Sequence, residues 1–411
     1  PGSSTATLTS KVTNVSGSAE SYYIGTISAA AADRNVTLTM HDAGGSILDL
    51  DEAGTGTTAV NITAGGTITL AAGSTTGSFG SETNPIAVDA QEICFRLPDD
   101  LDTPNVAINV YMTLPAGVTL DMESGTPIES TVSITGEGSL AVSGGITVGT
   151  TGTGAKAGNL ILNLQSVSLE SLTVRNGSAS ITAQADILLS SVACASGTAL
   201  TLVSTGGITI NGTLTASGDT TISSTGDMTV TGNITGVFTQ TDDSLTISGL
   251  NVLLADIDLR NMSDTDKTLS ITALATLTTG AMTLVGIDFE INSNGDTTIG
   301  GDIVIDPSSV TLTVVDGDLV LSGTITVIDG SSYYIVANGG NVTFNQSVLV
   351  AGEALLDVTA TAGSDATGAV SFNEIVDIAA ATLNVNAAGD ISFAKGLTAA
   401  EAASKKGGVL I

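Results

Sequence analysis

The chain has 411 residues and a mass of 40.5 kDa, light for its length because 49 positions are Gly and small side chains dominate elsewhere. Only 3% of residues are aromatic and Trp is absent, so a core must be built mainly from Val, Ile, Leu and Ala. Ten Lys and Arg against 41 Asp and Glu give a net charge of −31, which excludes a nucleic-acid binder because phosphate neutralisation needs clustered cations. One His and two Cys exclude most histidine chemistry, zinc centres and disulfide scaffolds.

The mean hydropathy of +0.39 is high, yet no apolar run approaches the ~18 residues that a spanning helix requires, and no membrane span is expected. Aliphatic residues recur at strand spacing throughout, which separates the chain from disordered sequences. No signal-peptide pattern opens it, so it reads as a mature form or an excerpt.

In chain order, residues 1–90 read as amino-terminal coils of a β-solenoid, beginning with the alternating strand Thr5-Ala6-Thr7-Leu8-Thr9. Residues 91–135 carry four of the seven prolines and the run Asp99-Asp100-Leu101-Asp102. They read as an irregular insertion or side hairpin, with Val106 to Tyr111 as a strand and Pro115-Ala116-Gly117-Val118 as a turn. Residues 136–396 form the main solenoid. There Gly158, Gly177, Gly197 and Gly226 each open a short strand in what reads as one register, and Gly207-Ile208 and Gly218-Asp219 open two more. Leu250 to Thr268 reads as a second irregularity. The motif returns at Gly295, Gly317, Gly340, Gly368 and Gly389, with gaps of 22, 23, 28 and 21 residues. Residues 397–411 read as a carboxyl-terminal cap or linker: Thr398-Ala399-Ala400-Glu401 has the capping-box pattern, Lys405-Lys406 suits a helix end, and a helix is expected over 397–406.

A period near 20 with two or three short strands per repeat points to a solenoid, in which no unit buries its apolar face alone. In Leu200-Thr201-Leu202 or Ile208-Thr209-Ile210 the aliphatic pair faces inward and Thr faces water. The expected fold is an all-β, right-handed parallel β-helix, with tandem antiparallel β-sandwiches as the alternative.

The segment Gly65-Gly66-Thr67-Ile68-Thr69-Leu70-Ala71-Ala72-Gly73, followed by Phe79-Gly80-Ser81-Glu82-Thr83-Asn84-Pro85-Ile86-Ala87-Val88, resembles a unit of large bacterial surface proteins of the filamentous-haemagglutinin type. The steps Gly226-Asp227-Met228-Thr229-Val230 and Gly389-Asp390-Ile391-Ser392-Phe393 resemble the same repeats. The resemblance implies a secreted, elongated β-helix acting as adhesin, filament or outer-layer component.

Candidate chemistry is sparse. Asp256, Asp258, Arg260, Asp264 and Asp266 form the best constellation for a glycan-processing cleft of a lyase or hydrolase, against the alternative of a solvated loop stitched by Arg260. Asp296, Asp316 and Asp318 offer hard oxygens to a structural calcium ion without matching a calcium-loop pattern. His41 reads as a surface residue. Cys94 and Cys194 lie some five coils apart on a regular solenoid, beyond disulfide reach unless the 91–135 insertion folds back, and read as buried, free small hydrophobes. The expectation is therefore a non-enzymatic extracellular structural protein without catalytic or cofactor-binding residues, acting in extension, coating or adhesion. It would associate head to tail or with neighbouring repeats of a longer chain, or meet a host-surface or glycan ligand. The alternatives are a glycan-processing β-helix enzyme and a carbohydrate-binding adhesin or phage-fibre module.

Overall fold

A computed structural model describes the chain except residues 1–4, 11–20, 32–33, 41–45, 50–59, 73–77, 98–99, 105–108, 123–126, 263–267, 307, 364–365, 401–407 and 411. The described residues are all β, with no helix, and form a parallel β-solenoid divided into two units, Pro1–Gly206 and Gly207–Ile411. No cis peptide bond occurs among them.

In the second unit each turn contributes three strands, and each strand pairs in parallel with its counterpart one turn later. On the first side Asp219–Ser224 is followed by Ser244–Gly249, Thr268–Ala273, Asp288–Ser293, Ser309–Val315, Ser332–Asn338, Leu355–Thr361, Thr382–Ala387 and Gly408–Leu410. The second side stacks three-residue strands such as Thr297–Ile299, Leu319–Leu321, Val342–Phe344, Val370–Phe372 and Ile391–Phe393. The third side runs from Leu214–Ala216 to Leu397–Ala400. Register partners on the second side, Thr297 with Leu319, Leu319 with Val342, Val342 with Val370 and Val370 with Ile391, reproduce the spacings 22, 23, 28 and 21 read from the glycines. Parallel pairing separates a solenoid from the sandwich alternative, whose strands would run antiparallel.

Alternation explains the core. Leu200 and Leu202 are buried on either side of a half-buried Thr201, and Ile208 and Ile210 are fully buried around Thr209. Each inward aliphatic contributes about 1.5–3 kcal/mol only when a neighbouring turn covers it, which is why no turn stands alone. Rings take a larger part than composition suggested: Phe79, Phe238, Phe289, Phe344, Phe372 and Tyr333 are among the largest fully buried side chains. Burial pushes the Tyr333 hydroxyl above the usual tyrosine range.

In the first unit the second and third strands fuse. Ser139–Val148 pairs with Ser166–Val174, and the register shifts between Val142 and Gly145, where the strand bends without breaking. Residues 78–89 form a two-strand side of one turn. Ser78–Phe79 and Ile86–Asp89 are joined by a loop in which Ser81 and Asn84 exchange backbone hydrogen bonds, the Asn84 N–H also donates to Ser81 Oγ (3.0 Å), and Gly80 turns at φ +73°. Phe79, Ile86 and Val88 all fall in the core.

Among the described residues, the stretch 91–135 holds an antiparallel pairing. Asp100–Pro104 folds back on Glu92–Leu97 as a side hairpin, while Glu92–Leu97 itself pairs in parallel with Thr67–Ala72. The adjoining strand is Asn109–Leu114, in parallel register with Thr131–Gly136, and Pro115 to Val118 form the turn, closed by Val118 N–H to Pro115 C=O with Gly117 at φ +81°.

Three readings need correction. The strand after Gly226 does not share a side with those after Gly158, Gly177 and Gly197: Met228–Val230 stacks on Ile208–Ile210, whereas the other three lie on the first side. Glycine precedes strands of more than one side, so it marks a corner without saying which. Leu250 to Thr268 is no irregularity where described, because Val252–Leu254 and Ile257–Asn261 keep parallel register. The helix over 397–406 is overturned at its start: Leu397–Ala400 is a strand paired with Val376–Ala379. The backbone edge of that strand competes with the weak local helix signal. Thr398 does not cap a helix; its hydroxyl donates to Val376 C=O (3.3 Å) and to Asp377 Oδ1 (3.0 Å). The rest of the expected helix, 401–406, lies outside the described residues.

Candidate functional site

The acidic and amide residues of the corners form a chain of hydrogen bonds along the second unit. Asp296 Oδ1 accepts the Asp318 N–H one turn on (2.9 Å). Asp318 Oδ1 then accepts the Asn341 N–H (2.8 Å) and Nδ2–H (3.1 Å). Asn341 Oδ1 in turn accepts the Ala369 N–H (3.0 Å) and the Thr367 hydroxyl (3.2 Å). The Gly-Asp step is thereby explained: glycine lets two turns approach, and the next side chain satisfies a corner N–H that no strand pairs. The same device ties Asp256 to Ala281, Asp302 to Thr324 and Asp329 to Glu353, and in the first unit Asn35 to Thr67, Asn61 to Ala87 and Asn109 to Thr131. These Asx residues escaped the sequence reading as linked pairs. Their signal is an Asp or Asn recurring one turn apart just before a strand.

This arrangement separates the calcium candidates. Asp296 and Asp318 each hold a backbone N–H of the following turn, and Asp316 sits exposed in the left-handed region at φ +57°. Among the described residues no three His, Cys, Asp or Glu side chains gather as a metal site. Replacing Asp318 with Ala is expected to lower stability by about 1 kcal/mol, because two hydrogen bonds to Asn341 vanish at an exposed corner. Asp318→Asn, which keeps a side-chain oxygen, should lose less. Urea unfolding midpoints of the two variants check the order.

Of the five-residue constellation, the three described members do not converge on one point. Asp258 and Arg260 are paired on one strand, with Nε to Oδ1 at 3.1 Å and Nη2 to Oδ2 at 3.3 Å. The hydrogen bond to Asp258, then its charge, raises the guanidinium further above its ordinary value. Asp256 faces a corner N–H instead, and Asp264 and Asp266 lie outside the described residues, as does His41. Cys94 and Cys194 are buried at 7% and 0% exposure. The strands carrying them are four pairing steps apart, about 19 Å at strand spacing, so a disulfide is out of reach.

A shallow groove of about 310 Å³ in the first unit is lined by Thr63, Gly65, Asp89, Gln91, Gly117 and Thr119, with Asp89 its one carboxylate. In the second unit Leu250, Leu253, Leu274 and Met262 are exposed, Met262 at 72%. Leu250 and Leu274 occupy successive turns of one corner, since the Ala275 N–H donates to Leu250 C=O (2.8 Å). Elsewhere the outward strand faces carry hydroxyl columns, with Ser223 and Ser248 bonded at 2.9 Å and Ser139 and Ser166 at 2.9 Å. No helix among the described residues is long and apolar enough to cross a membrane. No protein-family model, curated protein or solved structure matches the chain.

Proposed function

We propose that the chain is a non-enzymatic structural β-solenoid of the cell exterior, of the filamentous-haemagglutinin kind, acting in extension, coating or adhesion. One observation carries the reading: the corner carboxylates and amides, the chain's main stock of chemistry, tie one turn to the next. A catalytic glycan cleft needs paired carboxylates facing substrate. The best acidic group here supplies an ion pair on the outward face of one strand.

The reading includes association along the stack. Ile391, Phe393 and Leu397 are only half-buried, although the residues they pair with, Val370, Phe372 and Val376, are buried. That turn presents apolar side chains which a following repeat or a turn of a second copy would cover. The net charge of −31 disfavours side-by-side clumping and acts weakly on an end contact at physiological salt, where the Debye length is about 8 Å.

Sedimentation and electron microscopy at rising concentration are expected to show end-to-end species, and incubation with acidic polysaccharides to give no cleavage. Turnover that disappears in Asp258→Ala or Arg260→Ala would replace this reading with the glycan-processing one. Monomers at all concentrations would remove the self-association.

A further inference from the structure

The sequence contains four Asn-Gly steps: Asn176-Gly177, Asn211-Gly212, Asn294-Gly295 and Asn338-Gly339. At such a step the glycine backbone nitrogen can attack the Asn side-chain carbonyl, because no Cβ on the following residue stands in the way. The fold treats the four steps differently.

At Asn338 the attacking nitrogen is occupied. The Gly339 N–H donates to Thr361 C=O (3.1 Å) and to Thr361 Oγ1 (3.0 Å). At Asn176 the main chain is held on both sides, N–H to Val148 C=O (3.3 Å) and C=O from Gly158 N–H (3.0 Å), and Gly177 packs so tightly on the Gly158 carbonyl that an added Cβ would overlap it. Asn294 and Asn211 are exposed corner residues whose carboxamides make no hydrogen bond, and neither the Gly295 nor the Gly212 N–H is engaged. At Gly295 it is the carbonyl that is held, by the hydroxyls of Ser293 (3.0 Å) and Thr297 (3.4 Å).

We propose that Asn294 and Asn211 are self-modification sites of the folded protein, converting to aspartate and isoaspartate, while Asn338 and Asn176 are protected by the same fold. The glycine nitrogen bonds to the Asn Cγ, the Cγ–Nδ2 bond breaks, and ammonia leaves with the proton released from the glycine nitrogen. Water then opens the cyclic imide at either carbonyl, giving aspartate or isoaspartate. At Asn294 the product matters to the stack. Isoaspartate lengthens the main chain beside Gly295, against which Gly317 of the next turn is packed without room for a Cβ. Either product also adds a carboxylate at the corner where Asp316 stands one turn on.

The test is timed incubation of the native chain in mildly alkaline buffer, followed by peptide mapping by mass spectrometry and isoaspartyl methyltransferase labelling. Asn294 and Asn211 are expected to convert at least about tenfold faster than Asn338, whose nitrogen must first give up two acceptors. In strong urea the four rates should converge. Comparable native rates at Asn294 and Asn338, or a rate order that survives unfolding unchanged, would overturn the proposal. Asn294→Gln should remove the label from its own peptide and leave that of Asn211 intact; persistence of the label there would also overturn it.

Discussion

Gly340→Ala is expected to lower the melting temperature of the second unit by roughly 6–12 °C, equivalent to about 3 kcal/mol for a unit of this size. Gly295, Gly317 and Gly340 form a column at one corner, and each sits directly on the main chain of the turn before. A Cβ on Gly340 would overlap the Gly317 carbonyl oxygen, and one on Gly317 would overlap the Gly295 carbonyl carbon. Main chain cannot swing aside as a side-chain tip does, so relief requires parting two turns. That would stretch the Leu319 N–H to Asn341 C=O bond and the Asp318 to Asn341 link. Gly300→Ala is the control within the same unit, because its Cβ would meet only the Thr279 carbonyl at 3.4 Å, an ordinary contact. That variant should stay within about 0.5 kcal/mol of the parent. Thermal unfolding of the pair decides it, and equal effects would mean that the close approach carries no cost.

The second large effect is expected at Phe372. Its ring lies between Phe344, with centroids 4.4 Å apart and planes at 11°, and Phe393, at 4.8 Å and 2°. In-register pairing of Val342–Phe344, Val370–Phe372 and Ile391–Phe393 puts three rings in one inward column at the strand spacing, which suits stacked aromatic faces. Phe372→Ala opens a cavity between two turns and removes both ring contacts, at about 4–5 kcal/mol. Phe372→Leu keeps most of the volume and should cost about 1–2 kcal/mol. Because a solenoid's turns depend on their neighbours, the damage should appear first as protease cleavage among residues 342–400, ahead of global unfolding. Urea midpoints together with limited proteolysis would check both statements. An Ala variant no less stable than the Leu variant would show that the column is not a packing unit.

Much of this molecule follows from local sequence. A parallel solenoid repeats one short-range choice: aliphatic inward, hydroxyl outward, glycine at the corner. Each choice leaves a mark at fixed spacing, so the steps of 22, 23, 28 and 21 residues between glycines are the register steps of the second side. What the spacing leaves open is which side a given strand occupies, since all three sides use the same inward–outward alternation. From its sequence Gly226 reads like Gly158, Gly177 and Gly197 for that reason, and only the pairing of Met228–Val230 with Ile208–Ile210 places it on another side.

The carboxyl-terminal region shows the converse. Thr398-Ala399-Ala400-Glu401 satisfies a helix-start pattern, yet a backbone edge already formed by Val376–Ala379 offers more hydrogen bonds than a short isolated helix would gain, so Leu397–Ala400 extends the sheet. The acidic residues are the deepest instance. In sequence Asp296, Asp316 and Asp318 look like a cluster of ligands, because a solenoid places residues near in number close to one corner. Coiling instead brings Asp296 against Asp318 and Asp318 against Asn341, residues 22 and 23 positions apart. Strand alternation and corner glycines are properties of a few consecutive residues and are written locally. The partner of a corner carboxylate depends on the length of the intervening turn, and only the coiled chain sets that length against its neighbour.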